Sequence, residues 1–121
     1  MKKFLAVYLG SNSGPRRSEW NELPEVKRKG LEQTGMKAWG DWMQTHAAAV
    51  VETGGPLGKT KRVDPKGISD TRNNLTGYVV VQAESQEAAA KLFENHPHFA
   101  IFPGDSVEIV ECLPIPGAPQ R

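Results

Sequence analysis

Residues 75–97 read LTGYVVVQAESQEAAAKLFENHP, and two periodicities meet inside them. Leu75 to Glu84 contains a β-branched run, Val79–Val81, which suits a pleated strand better than a helix. Ser85 offers a hydroxyl to cap a helix over about residues 86–95. On that helix Ala89, Leu92 and Phe93 share one face, and Pro97 stops it. The stretch is a strand leading into a helix, and its neighbours on either side decide what sheet it joins.

Downstream, HFAIFPGD (98–105) reads as a loop and SVEIVECLPI (106–115) as a last strand, followed by a Pro-rich extended tail over 114–121. Upstream, KFLAVYL (3–9) is apolar on both faces, as in a strand covered on both sides. GSNSGPRRSE (10–19) carries the Gly, Ser, Asn and Pro of a loop. Leu23-Pro24-Glu25 opens a helix with Pro early and an acid in the first turn. Leu31, Gly35, Trp39, Trp42, Met43 and His46 then recur mostly at steps of three or four, down to about Ala47. Gly30, Gly35 and Gly40 weaken this helix, so either a neighbour approaches closely or the helix breaks. AAAVVE (47–52) is a second strand, ended by Gly54-Gly55-Pro56.

Between the second and third strands lies TGGPLGKT (53–60), one residue short of a phosphate-cradling GxxxxGKT loop because Thr53 stands where glycine is required. Such a loop must lead into a helix whose N-terminus faces the phosphates. Here Lys-Arg-Val-Asp-Pro follows, and β-branched Val63 and the Asp64-Pro65 step oppose a helix. The segment reads instead as a strand end entering a basic hairpin over about 58–72, turned at Asp64-Pro65-Lys66-Gly67. No ATP is implied.

The order is strand, helix, strand, hairpin insertion, strand, helix, strand. That is βαββαβ, a ferredoxin-like α+β fold with a four-stranded antiparallel sheet. Two helices cover one face of the sheet. The other face is also apolar, and a second copy of the chain is its natural cover, so a homodimer is expected.

The bulk numbers set bounds. A length of 121 residues fits one domain. Fifteen basic and fourteen acidic residues leave a net charge of +1, which provides no electrostatic footprint for nucleic acid. The single cysteine, Cys112, excludes an intrachain disulfide and a multi-cysteine zinc site. MKKFLAVYLGSNSG imitates a signal peptide, but its apolar run is short and Ser-Asn-Ser follows. A reducing cytoplasm is therefore the expected compartment. No stretch approaches the roughly 20 apolar residues that span a bilayer, so no membrane partner is expected.

Three histidines are candidates for chemistry. His96 and His98 flank Pro97, and in an extended segment residues two apart point the same way. His46 extends the stripe Trp39-Trp42-Met43 toward a helix end. Two histidines with a third elsewhere is the minimum for a catalytic zinc set, but no carboxylate signature accompanies them, and no metal is expected. Acid–base chemistry suits histidines beside a loop, with Asp105 a candidate orienting acid. Trp39 and Trp42 would line a pocket for a small aromatic or apolar molecule, and Lys59 or Arg72 would attract its charge.

Gly55-Pro56-Leu57, then TGYVVVQAES leading into QEAAAKLFENHP, then GDSVEIVEC, give the chain a resemblance to the YCII-related family, which includes the DGPF-type proteins. It spans Phe4 to Cys112. The resemblance implies a ferredoxin-like domain that pairs into a dimeric α/β barrel, and it adds Gly55 and Pro56 to the pocket candidates. Relatives of that fold include isomerases, lyases, a dehydrochlorinase-like enzyme and cofactor-free monooxygenases. The family's candidate His–Asp pair is not preserved: His96-Pro97 stands at the Asp-Pro step, and the helix histidine falls near Ala38-Trp39. The expected function is a homodimeric small-molecule-binding protein, with cofactor-free isomerase or lyase chemistry moved by His96 or His98. The alternative is a non-enzymatic binding or accessory module with a shallow or blocked pocket.

Overall fold

A computed structural model describes residues 1–117. The elements run β1 (Lys2–Leu9), α1 (Pro15–Glu22), α2 (Glu25–Thr45), β2 (Val50–Pro56), β3 (Thr60–Asp64), β4 (Gly67–Thr71), β5 (Leu75–Ala83), α3 (Gln86–Lys91), α4 (Pro97–Ala100) and β6 (Ser106–Glu111). Four strands form an antiparallel sheet in the order β2-β5-β1-β6. Counting only these four, the order is second, third, first, fourth, which is the ferredoxin-like arrangement of a split βαβ pair. β3 and β4 form a separate two-stranded sheet.

Strand period places the core. Phe4, Ala6 and Tyr8 of β1 and Val79, Val81 and Ala83 of β5 are buried, while the alternate residues Leu5, Val7, Tyr78 and Val80 are only half-buried. The buried face meets Trp42 of α2, Ala89 of α3 and Phe93 just beyond α3, with Trp39, Met43 and Ile109 packed around them. β1 lies between β5 and β6, so Leu5 on the open face is opposite both Val80 and Val110. Val110 is half exposed there.

Five elements differ from the sequence reading. Residues 15–22 are helix, not loop: Gly14 caps an N-terminus with Pro15 in the first turn. Only Trp20 of α1 is buried, so no apolar period marks it. β2 continues to Pro56 because Gly55 and Pro56 still pair with Tyr78 and Gly77, past two bulges in its ladder with β5, between Val50 and Glu52 and between Glu52 and Gly55. Gly54 takes a φ of +60° inside that irregularity, where any Cβ would collide with the Tyr78 carbonyl. α3 ends at Lys91, well before the proline. Pro97 instead begins α4, because a fixed φ suits the first helical position better than it suits a stop. β6 ends at Glu111.

α2 runs unbroken across its three glycines. Gly35 explains one of them: a Cβ there would lie 2.5 Å from the Phe102 ring. The β3–β4 turn forms with the Lys66 N–H donating to Asp64 Oδ1 at 2.9 Å, a local side-chain turn. Thr60–Asp64 is strand, so no helix follows Gly58-Lys59-Thr60 to hold phosphate. Of the Pro-rich tail, residues 118–121 lie outside the described part. Among the described residues no helix is long and apolar enough to cross a membrane.

Candidate functional site

An open cleft of about 770 Å³ lies between α2 and the sheet. Its floor is Tyr8 at the end of β1, Gly77 of β5, and Gly55 and Pro56 of β2. α2 forms the roof with Met36, Trp39 and Met43, and α1 closes one side with Arg17 and Trp20. His98, Phe102 and Gly104 close another. Most of this lining is aromatic or apolar, with a few polar groups among it, as in pockets for small organic molecules.

Tyr8 organises the buried wall. Its ring centroid lies 4.9 Å from Trp39, 5.1 Å from His96 and 5.2 Å from His98. The two histidines converge on it because His96 is the N-cap of α4 and His98 lies in its first turn. The His96 ring Nδ1 accepts the His98 backbone N–H at 3.0 Å, and Nε2 lies 3.2 Å from Tyr8 Oη. His96 is fully buried. Burial first, then the neighbouring His98 and His46, push its pKa down to about 3. The ring is neutral at any physiological pH.

His98 reaches the cleft wall. Its Nε2 lies 2.8 Å from the Leu9 carbonyl, which can only accept, so Nε2 carries the proton. Burial lowers the His98 pKa, opposed by the Leu9 carbonyl, by the charge of Asp105 and, least, by the Ser106 backbone. Gly104 is the seat of this ring, since a Cβ there would collide with it. Asp105 itself holds the cleft rim: its Oδ2 accepts the Ser11 N–H at 2.9 Å, and its own N–H donates to Leu9.

The other candidates from the sequence are dispersed. Trp39, Gly55 and Pro56 line the cleft with His98, whereas His96, Trp42, His46, Lys59 and Arg72 do not. Trp42 is buried in the core, where its indole N–H donates to the Leu92 carbonyl at 2.8 Å. His46 is the C-cap of α2, with its ring 4.9 Å from Trp42. Lys59 and Arg72 are exposed at the base of the hairpin. The basic side chain in the cleft is Arg17, with Glu32 also on the lining. Sequence reasoning missed Arg17 because it lay in an expected loop. It missed Tyr8 too, although the alternation Phe4-Ala6-Tyr8 and its place at a strand end were available signals. Among the described residues no group of three His, Cys, Asp or Glu side chains is arranged to hold a metal.

No family model and no curated protein matches the chain. Among solved structures, the chain is similar to the 5-chloro-2-hydroxyhydroquinone dehydrochlorinase from Burkholderia phenoliruptrix AC1100 in complex with 2,5-dihydroxybenzoquinone. The TM-score is 0.49 and the identity 17%, over 88% of this chain and 89% of that one. A likeness at that level bears on neither the ligand nor the reaction of this chain.

Proposed function

We propose that this chain is a homodimeric small-molecule-binding protein of the YCII-related kind, and that the cleft under α2 takes a small aromatic or anionic metabolite. The observation that carries this reading is the cleft itself. About 770 Å³ of concave space is walled by Trp39, Tyr8, Met36 and Phe102, with Arg17 and His98 reaching it as charged and titratable groups. A flat ring would stack against Trp39, and Arg17 would meet a negative substituent.

If the bound molecule is transformed, His98 moves the proton. Its Nε2–H is committed to Leu9, which leaves Nδ1 as the basic nitrogen, and burial favours the neutral ring. The reaction class would be cofactor-free isomerisation or elimination. One observation favours the second reading, a binding module without turnover: both histidine rings are engaged by backbone groups, His98 by Leu9 and His96 by the His98 N–H.

The homodimer reading rests on the open face of the sheet. Leu5, Val7 and Val80 are half-buried in the isolated chain and Val110 is half exposed. A second copy would remove this surface from water.

The test is a thermal-shift and calorimetric screen of aromatic carboxylates and phenols on wild type and Trp39→Ala. A saturable stabilisation that Trp39→Ala removes is expected. If no compound stabilises the wild type at millimolar concentration, the binding reading fails. Incubating a bound compound with wild type and His98→Gln, and following it by NMR, separates the two forms. Product formed by wild type alone supports the enzyme, and an unchanged compound supports the binding module.

A further inference from the structure

The hydrogen bonds around His96 determine which way a proton points on the neighbouring strand. Nδ1 accepts the His98 backbone N–H at 3.0 Å. A backbone N–H can only donate, so Nδ1 must present a lone pair. Burial keeps the ring neutral, so its single proton sits on Nε2. Nε2 lies 3.2 Å from Tyr8 Oη, and in this tautomer it donates to that oxygen. The tyrosine hydroxyl therefore receives a hydrogen bond from behind and keeps its own proton unspent. Among the described residues no side-chain or backbone acceptor takes that proton. Burial also raises the Tyr8 pKa, so the phenol stays protonated at all ordinary pH. Tyr8 is one of the residues lining the cleft.

We infer that Tyr8 is a one-way hydrogen-bond donor into the cleft, set by the tautomer of His96, and that the cleft selects ring compounds carrying an acceptor oxygen. This rests on the proposed reading of the cleft as a small-molecule site and narrows its ligand to carbonyl, carboxylate or phenolate compounds. A neighbouring hydrogen bond that feeds the Tyr8 oxygen strengthens the bond its proton makes. His96 is then a positioning residue and does not touch the ligand.

A neutral pair of probes isolates this effect from the charge of Arg17: 2-acetylnaphthalene, which presents a carbonyl, and 2-ethylnaphthalene, which has the same shape without it. Dissociation constants are measured for both on wild type and on Tyr8→Phe. The ratio of the two constants should shift by about three- to tenfold against the ketone in Tyr8→Phe, the size of one net hydrogen bond. A ratio unchanged by the substitution overturns the inference while leaving the binding reading intact. Failure of both probes to bind wild type overturns both. Tyr8→Phe leaves the His96 Nε2–H without its acceptor, so its folding is checked by circular dichroism. The ¹⁵N spectrum of the wild-type His96 ring reads the tautomer directly and needs no variant. The Nε2–H tautomer, held from pH 5 to 8, supports the inference, and the Nδ1–H tautomer or a protonated ring overturns it.

Discussion

The wall around Tyr8 and the β3–β4 hairpin contain the residue types most often associated with chemistry, and they handle them in opposite ways. In the wall two histidines are buried, and three of their four ring nitrogens have hydrogen-bond partners among the described residues. In the hairpin the charges stand in water: Lys61 pairs with Asp70 at 2.5 Å and Arg62 with Asp64 at 3.4 Å, with most of these side chains exposed. Val63 and Ile68 face each other across the hairpin and are about three-quarters exposed. Polar groups in the wall act on one another through a low-dielectric medium, while those in the hairpin are screened. Dense charge in a sequence is therefore a poor guide to where a fold concentrates electrostatic work.

Substitution should separate the two regions sharply. His96→Ala removes a fully buried ring, the cap of α4 and the partner of Tyr8 together. We expect a loss of about 3–5 kcal/mol in urea unfolding, from the cavity and the orphaned polar groups combined. A loss below about 1 kcal/mol would mean that the wall is far looser than its hydrogen bonds imply.

Acid should do next most damage, and through the wall. The unfolded chain protonates His96 as the pH falls through about 6.5, whereas the native ring resists until about 3. Below about 6.5 the unfolded state binds the extra proton, so stability is complete above that value and declines beneath it, by up to about 1.4 kcal/mol per pH unit. Unfolding midpoints measured from pH 7 to 4 should fall in wild type and fall less steeply in His96→Gln. Parallel slopes would remove His96 as the source.

The open face of the sheet gives a third, intermediate expectation. Val80→Lys places a charge among Leu5, Val7 and Val110, and light scattering should show a dimeric wild type and a monomeric variant. A monomeric wild type refutes the dimer reading directly. The hairpin should respond least: Lys59→Ala with Arg72→Ala is expected to change stability by no more than about 0.5 kcal/mol. Because neither residue lines the cleft, ligand affinity should be unchanged as well, and a tenfold loss would return the hairpin to the binding site.

The same contrast shows what was readable in the sequence. The β-branched run Val79–Val81 and the alternation Phe4-Ala6-Tyr8 are written in the period of a strand, because burial on a pleated surface selects every second residue. The stripe through Trp39 and Trp42 marked α2 for the same reason. α1 escaped because a single buried tryptophan makes no period, and the extension of β2 escaped because a double bulge disguises the ladder. In the site, Trp39 was reachable from helical spacing and His98 from its place beside a loop, but the extended segment expected around His98 is the start of α4. The separation of Trp39 from Trp42, one in the cleft and one in the core, was not, because helical spacing fixes a face but not how far along it a cavity extends. Nor could the polarity of Tyr8 be read, since it depends on an N-cap bond that exists only once α4 has formed.

The place of β1 in the sheet has a kinetic side. β1 is hydrogen-bonded on one edge to β5 and on the other to β6, so residues 2–9 are completed by segments far along the chain, at 75–83 and 106–111. Closing such long loops is slow and entropically costly before any contact rewards it. During synthesis the first strand must wait, with an apolar edge unpaired, until the last one is made. Leu9, which holds His98, pairs with Ser106 at the start of that last strand. The cleft wall should be among the final parts of the molecule to form, and ligand binding should appear in refolding only with the slowest phase.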